Sequence, residues 1–205
     1  MTLKLDHVII AVDDLDQAVS DYRALGFTTI YGGRHASGAT HNALICFQDG
    51  TYLELLAPTG DSAQPGAVDF SPLLQHGEGL VGYALLSHDL LADAEALRAR
   101  GAQIGEVGEG RRLRKDGIEL RWRTAELDGV KSPFLIEDVT PRKLRVPDDI
   151  DTVTHSNGVT GVARLEGADY DSTRGNQHLT GLILAAPKLI AFDAERAHNV
   201  KLIAE

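Results

Sequence analysis

Apolar and polar positions along this chain change period in a fixed order. Residues 5 to 12, LDHVIIAV, are rich in β-branched side chains and predict a strand. Asp13 and Asp14 follow as candidate helix N-caps. Leu15, Ala18, Val19, Tyr22 and Leu25 then share one face at helical spacing, and Gly26 closes the helix. Three more strands are predicted at 27–31, 42–48 and 51–57, with Asp49-Gly50 as the hairpin turn between the last two. The order is β-α-β-β-β.

That order repeats. Residues 80–87 predict a strand, Asp89 caps a helix carrying Leu90, Ala94 and Leu97, and Gly101 ends it. Leu5 and Leu80, Leu15 and Leu90, and Gly26 and Gly101 are each 75 positions apart. Strands are predicted at 103–107, 118–124 and 133–138, and Asp128-Gly129 stands where Asp49-Gly50 stood. These signals divide the chain into a first module (1–60), a Gly-, Pro- and Ser-rich connector (61–79), a second module (80–140) and a partial third module or flap (141–205). In the last, 159–168 reads as a strand, and apolar runs at 179–186, 188–192 and 200–203 predict a small β-meander. DYDSTRGNQ between them has no helical face.

Composition narrows the class. No apolar run approaches the length of a transmembrane helix. MTLKLDHVII has no basic region before a long apolar one, so no signal peptide is expected. The single cysteine, Cys46, forbids an intrachain disulfide and fits a reducing, cytoplasmic setting. It sits in ALICF, where a core residue is the plainer reading than a catalytic thiol. A net charge of -10 argues against nucleic acid, and the basic stretch Arg111, Arg112, Arg114, Lys115 is local. No G-x-G-x-x-G, P-loop, H-E-x-x-H or nucleophile-elbow motif occurs, so no nucleotide cofactor is expected.

LDHVIIAVDDLDQAVSDYRALGF resembles the opening of vicinal-oxygen-chelate modules, and DGTYLELL resembles their fourth strand with its inward Glu. GRRLRKDGIELRWR, SPFLIEDVTPR and THSNGVTGV look like the glyoxalase-like subgroup of that superfamily. The resemblance covers roughly residues 3 to 162. It implies an α+β fold of paired βαβββ modules, whose mixed sheets cup a small-molecule site with helices outside. It also implies a metal site in metal-using relatives, with ligands from the first and last strands of each unit. Carried over position by position, that pattern offers His7, Glu54 and Glu137, the last by matching Tyr52-Leu53-Glu54 to Leu135-Ile136-Glu137. The 75-residue offset puts Gly82 where a second His should stand, which puts a four-ligand site in doubt.

The residues carry their own argument. Strand alternation puts His7 with Ile9, and Glu54 with Tyr52 and Leu56. A carboxylate inside TYLELLAP costs several kcal/mol unless it is paired or bound to a cation. One imidazole with two carboxylates suits a divalent ion such as Zn, Mn, Fe or Ni, while a structural His or an Arg-paired Glu is the plainer alternative. Glu54 and Glu137 are the candidate proton-moving groups. Candidate substrate contacts are His41, His155, Arg112, Arg121 and Trp122; Arg121 and Arg123 alternate with Leu120 and Trp122, so one face of that strand is charged. His35, His76, His178 and His198 read as loop or terminal residues, and His88 as a surface one.

Two functions follow. One is an enzyme acting on a small oxygenated metabolite by metal-assisted lyase, isomerase or hydrolase chemistry. The other is a metal-free small-molecule binding protein of the sequestering type. Exposed strand edges of the third segment would allow a homodimer.

Overall fold

In the computed structural model of the chain, residues 3–75, 77–127, 130–167 and 179–205 are described. The Asp128-Gly129 turn, His76, His178 and the stretch 169–177 lie outside them.

The first unit comprises β1 (Lys4–Ala11), α1 (Leu15–Ala24), β2 (Ile30–His35), β3 (Thr40–Cys46) and β4 (Tyr52–Pro58). Asp14 caps α1, accepting from the Gln17 N–H at 3.0 Å, and Gly26 leaves the helix at φ +91°. The second comprises β5 (Gly79–Leu86), α2 (Leu90–Arg98), β6 (Gly108–Leu113), β7 (Glu119–Leu127) and β8 (Val130–Asp138). Asp89 caps α2 in the same way, accepting from the Ala92 N–H at 3.1 Å.

The two four-stranded sheets do not remain open cups. They join edge to edge into a closed barrel of order β1-β4-β3-β2-β6-β7-β8-β5. Their two seams differ. β1 and β5 pair from Lys4↔Leu86 to Ala11↔Gly79, whereas β2 and β6 pair only at Arg34↔Leu113 and His35↔Arg112.

Strand alternation sorts the side chains into two cores. Val8, Ile10, Leu53 and Leu55 face outward and pack under Leu15, Ala18 and Tyr22 of α1. Leu90 of α2 covers Ala125, Leu127 and Leu135 on the other side. The opposite faces fill the barrel. At one mouth Phe70 and Leu73, from a 3-10 turn (Ser71–Leu74) in the connector, pack on Ile9, Leu56, Trp122 and Phe134. At the other mouth Val146 and Val153 pack on Leu44, Cys46 and Tyr52. They are brought there by two short helices, α3 (Arg142–Arg145) and α4 (Ile150–Val153).

Two strands lie further along the chain than their patterns predict. β2 is Ile30–His35 rather than 27–31, and β6 is Gly108–Leu113 rather than 103–107. Both contain glycines that a strand reading disfavours. The barrel interior explains them. A Cβ on Gly110 would lie 2.0 Å from Trp122 Nε1, and one on Gly32 would lie 2.1 Å from Asn42 Oδ1 and 2.2 Å from Arg112 Nη1.

The last segment forms β9 (Gly161–Glu166), β10 (Gly181–Ala185), β11 (Ile190–Ala191) and β12 (Leu202–Ala204), in the order β11-β12-β10-β9. This is not a meander, because β12 runs parallel to β10 and inserts beside β11. The reversal is made at His198 and Asn199, two successive residues at φ +52° and +62°. Leu182, Leu184 and Leu202 join Tyr22, Phe27 and Phe47 on the outer face of the first unit, away from the barrel interior. Among the described residues no helix is long and apolar enough to cross a membrane.

Candidate functional site

A polar layer lies between the two apolar ends of the barrel. It surrounds a small cavity of about 20 Å³, lined by His7, His35, Asn42, Glu54 and Arg112 together with Tyr52, Trp122, Phe134 and Phe70. That volume holds about one water.

His7 is placed by β1 and fixed by its neighbour. A break in the β1–β5 register between Leu5 and His7 interrupts the alternation there. Asp6, fully buried, thereby meets the ring beside it: Asp6 Oδ1 lies 2.6 Å from His7 Nδ1. The ring stacks on Tyr52 at 4.5 Å, and His7 Nε2 lies 3.3 Å from Glu54 Oε2. With a carboxylate at each nitrogen, both nitrogens donate and the ring is an imidazolium. Burial alone would lower its pKa; the hydrogen bonds and charges of Asp6 and Glu54 raise it above the usual 6.5.

Asp6 is the hub beneath. Arg145 donates from Nη1 to Asp6 Oδ1 and from Nη2 to Asp6 Oδ2, both at 3.1 Å, and Arg142 also donates to Asp6. Arg145 further donates to Asp138 at 2.5 and 2.9 Å and to the Tyr52 hydroxyl at 2.8 Å. Burial would raise the Asp6 carboxyl, but Arg145 and His7 hold it well below the usual range.

Glu54 is met from three sides. Asn42 Nδ2 donates to its Oε1 at 2.6 Å, His7 approaches Oε2, and His35 Nε2 stands 3.7 Å from Oε1. Burial raises its pKa, yet His7 overrides this and brings it to about 2. His35 is neutral, because burial pushes it down to about 4, and its Nδ1 lies 2.9 Å from Thr40 Oγ1. Asn42 also links Glu54 to a cation: Arg112 Nη1 donates to Asn42 Oδ1 at 2.7 Å. Arg112 Nη2 donates to the Arg145 carbonyl at 3.1 Å, and its buried Nε has no hydrogen-bond partner.

The residues do not fit the four-ligand metal centre that the family pattern implies. The parallel pairs His7↔Tyr52 and Ala84↔Phe134 relate the two units. The counterpart of His7 is therefore Ala84, which pairs with His7 directly, while Gly82 lies opposite Ile9. The counterpart of Glu54 is Ile136, since Tyr52 and Phe134 each precede it by two residues on the inner face. Neither Ala84 nor Ile136 can donate to an ion. Glu137 is one residue off: it points outward, 3.6 Å from Arg123, so it joins neither His7 nor Glu54. Among the described residues no group of three or more His, Cys, Asp or Glu side chains is arranged to hold a metal ion.

Of the expected substrate contacts, Arg112 and Trp122 line the cavity. Arg121 does not: it is exposed on the outer face of β7 and pairs with Glu109 at 3.2 Å, because Leu120 and Trp122 take the inner face. His41 alternates with inward Asn42 and lies edge-on to Tyr31 outside the cavity. His155 is a structural clamp between Phe27 and Phe47. Its Nδ1 accepts from the Thr28 N–H at 2.9 Å, so Nε2–H donates to the Cys46 carbonyl at 3.0 Å. Cys46 is buried, which pushes its thiol up to about 12 and makes it a core residue. The cavity's other polar members, His35, Asn42 and Arg145, and the acids beneath them, Asp6 and Asp138, carried no signal in the sequence that singled them out.

Residues 5–183 match the model of a family described as glyoxalase-like domain. No curated protein matches the chain. Among solved structures, a hypothetical protein from Staphylococcus aureus is similar over 100% of this chain and 99% of its own, with TM-score 0.74 at 14% identity, a likeness of fold. Methylmalonyl-CoA epimerase of Streptomyces coelicolor, solved with 2-nitronate-propionyl-CoA, is 27% identical over 68% of this chain and 100% of its own, with TM-score 0.48. The Mycobacterium tuberculosis methylmalonyl-CoA epimerase is 25% identical over 66% and 88%, with TM-score 0.47. Two βαβββ units closed around one cavity, under a family match that spans most of the sequence, place this chain in the glyoxalase-like domain family.

Proposed function

We propose that the protein is an enzyme acting on a small oxygenated metabolite, and that side chains of the cavity, rather than a four-ligand metal, carry the proton transfer. One observation carries this reading. The Glu54–His7 pair, 3.3 Å apart, sits beside the Arg112 guanidinium, which meets no carboxylate among the described residues.

Glu54 acts as general base and takes a proton from a carbon next to a substrate carbonyl. The electron pair of that C–H bond moves onto the carbonyl oxygen. Arg112 and the Asn42 amide N–H balance the charge that develops there. Asp6 fixes the His7 ring, and His7 carries the charge that steadies Glu54 before the proton arrives. Returning the proton to the same carbon from the other face, or to its neighbour, gives an isomerase. Expelling a β-substituent from the same enolate gives a lyase.

The test is proton exchange. Small 2-oxo and 2-hydroxy acids are incubated with the protein in D2O, and loss of the C–H signal is followed by NMR. Wild type exchanges at least one of them, and Glu54→Gln slows that exchange about 100-fold or more, while circular dichroism and ligand binding are kept. Exchange that persists in Glu54→Gln ends the proposal.

A second reading, a metal-free sequestering protein, is favoured by the small size of the cavity and by the engagement of both Glu54 oxygens. It is the outcome if a compound binds and none exchanges.

A further inference from the structure

At the barrel mouth closed by α3 and α4 there is a second, larger hollow, an open cleft of about 450 Å³. Its walls come from β2, β3, the turn between β6 and β7, and the stretch 143–152. Five cationic side chains line it, Arg112, Arg114, Lys115, Lys143 and Arg145, against two carboxylates, Asp116 and Asp149. This is a reversal of the chain as a whole, whose net charge is -10.

The carboxylates do not neutralise it. Asp116 is taken by Arg114, which donates to both of its oxygens at 3.1 and 2.8 Å. Asp149 caps α4, accepting from the Thr152 N–H and hydroxyl at 3.0 and 2.9 Å. Arg145 is committed to Asp6 and Asp138. Three cations are left without a carboxylate among the described residues. Lys115 is exposed and lies 4.7 Å over the Tyr31 ring, and Lys143 is exposed with no partner among the described residues. Arg112 is only 4% exposed, and its Nε has no hydrogen-bond partner. Arg112 lines both the cleft and the inner cavity.

We propose that this cleft binds the phosphate or carboxylate group of a small anionic metabolite, gripped by Lys115 and Lys143 and drawn by the buried charge of Arg112. The cleft volume is within the range of small-molecule sites, about 300–1,000 Å³. Two mobile ammonium groups at its rim supply rotatable donors for an anion of either geometry. A desolvated guanidinium with no carboxylate in direct contact among the described residues leaves positive potential at the inner wall, only partly balanced by Glu54 through Asn42, and an arriving anion relieves it. The proposal extends the reading of the inner cavity by giving its substrate a charged end outside, but it is tested by binding alone.

Pyrophosphate and citrate are titrated into the full chain at constant ionic strength and followed by calorimetry. Saturable one-to-one binding is expected, and whichever anion binds more tightly identifies the preferred group. Lys115→Ala and Lys143→Ala each weaken it about fivefold, the scale of one exposed ion pair. Lys188→Ala, an exposed lysine elsewhere, leaves it unchanged. Absence of saturable binding by both anions, or equal binding by the Lys115→Ala/Lys143→Ala double variant, overturns the proposal. Anion binding without any proton exchange would leave the cleft assigned and remove only the catalytic reading of Glu54.

Discussion

Glu54 and Ile136 occupy equivalent places in the two halves of the barrel. Each follows an inward aromatic by two residues on the last strand of its unit, Tyr52 for one and Phe134 for the other. One half thus presents a carboxylate to the cavity and the other an apolar wall. The same asymmetry sets His7 against Ala84. Restoring both donors should recreate a metal centre. The Ala84→His/Ile136→Glu variant is expected to melt below wild type without metal and to gain about 5 °C or more on addition of zinc or manganese. Wild type is expected to shift little under the same additions. Thermal unfolding with and without the ions checks this.

Arg145 is expected to be a stability residue. It is 3% exposed and satisfies Asp6, Asp138 and the Tyr52 hydroxyl together. Arg145→Met leaves two carboxylates without their main partner, at a cost of about 3–5 kcal/mol. Arg145→Lys recovers little, because one ammonium cannot reproduce the fork that reaches both acids. Urea denaturation of the three proteins provides the comparison.

The cavity also predicts an acid response. His35 has its pKa lowered by burial to about 4 from 6.5. Between those values the unfolded chain binds a proton at His35 that the folded one refuses, so the part of stability that His35 governs is complete above about 6.5 and falls as pH drops toward 4. The loss over that window is about 3 kcal/mol. Glu54, brought to about 2, adds a further loss as pH falls below its ordinary 4.5. His35→Asn should flatten the first part of the curve and leave the second. Denaturant midpoints measured from pH 7 to pH 3 test it.

Gly110 lies under the one tryptophan of the chain. Gly110→Ala pushes a methyl group into the Trp122 indole and should cost about 1–3 kcal/mol by overpacking. Trp122 is 4% exposed, so its fluorescence reports the displacement directly as a shift to longer wavelength. An unchanged spectrum with unchanged stability would refute the packing argument.

The repeated βαβββ order was legible in the sequence because apolar alternation, an Asp cap and a terminal Gly recur in both halves. The inward face shared by Tyr52, Glu54 and Leu56 was legible for the same reason. β2 and β6 were not. Their strands read IYGGRH and GEGRRL, whose glycines make room for Asn42, Arg112 and Trp122 from neighbouring strands. With β2 placed too early, His35 read as a loop residue. Asp6 was hidden because alternation assigns it to the face opposite His7, and only a register break brings the two together. Arg145 lies in a Pro- and Asp-rich stretch with no periodicity. The matching of Glu137 to Glu54 slipped by one residue, and in a strand one residue is the difference between inside and outside.

The unequal seams of the barrel set where the ring gives way most easily. A ring fastened by a long ladder on one side and a short one on the other yields first at the short one, where fewest backbone bonds must break. That weaker fastening is made by His35 and Arg112 and their neighbours, while His7 and Glu54 stand on β1 and β4, beside the stronger one. Parting β2 from β6 would therefore widen the space around His7 and Glu54 without pulling these two apart. The side that carries His7 and Glu54 is held by the long ladder, and the side that carries His35 and Arg112 by the short one.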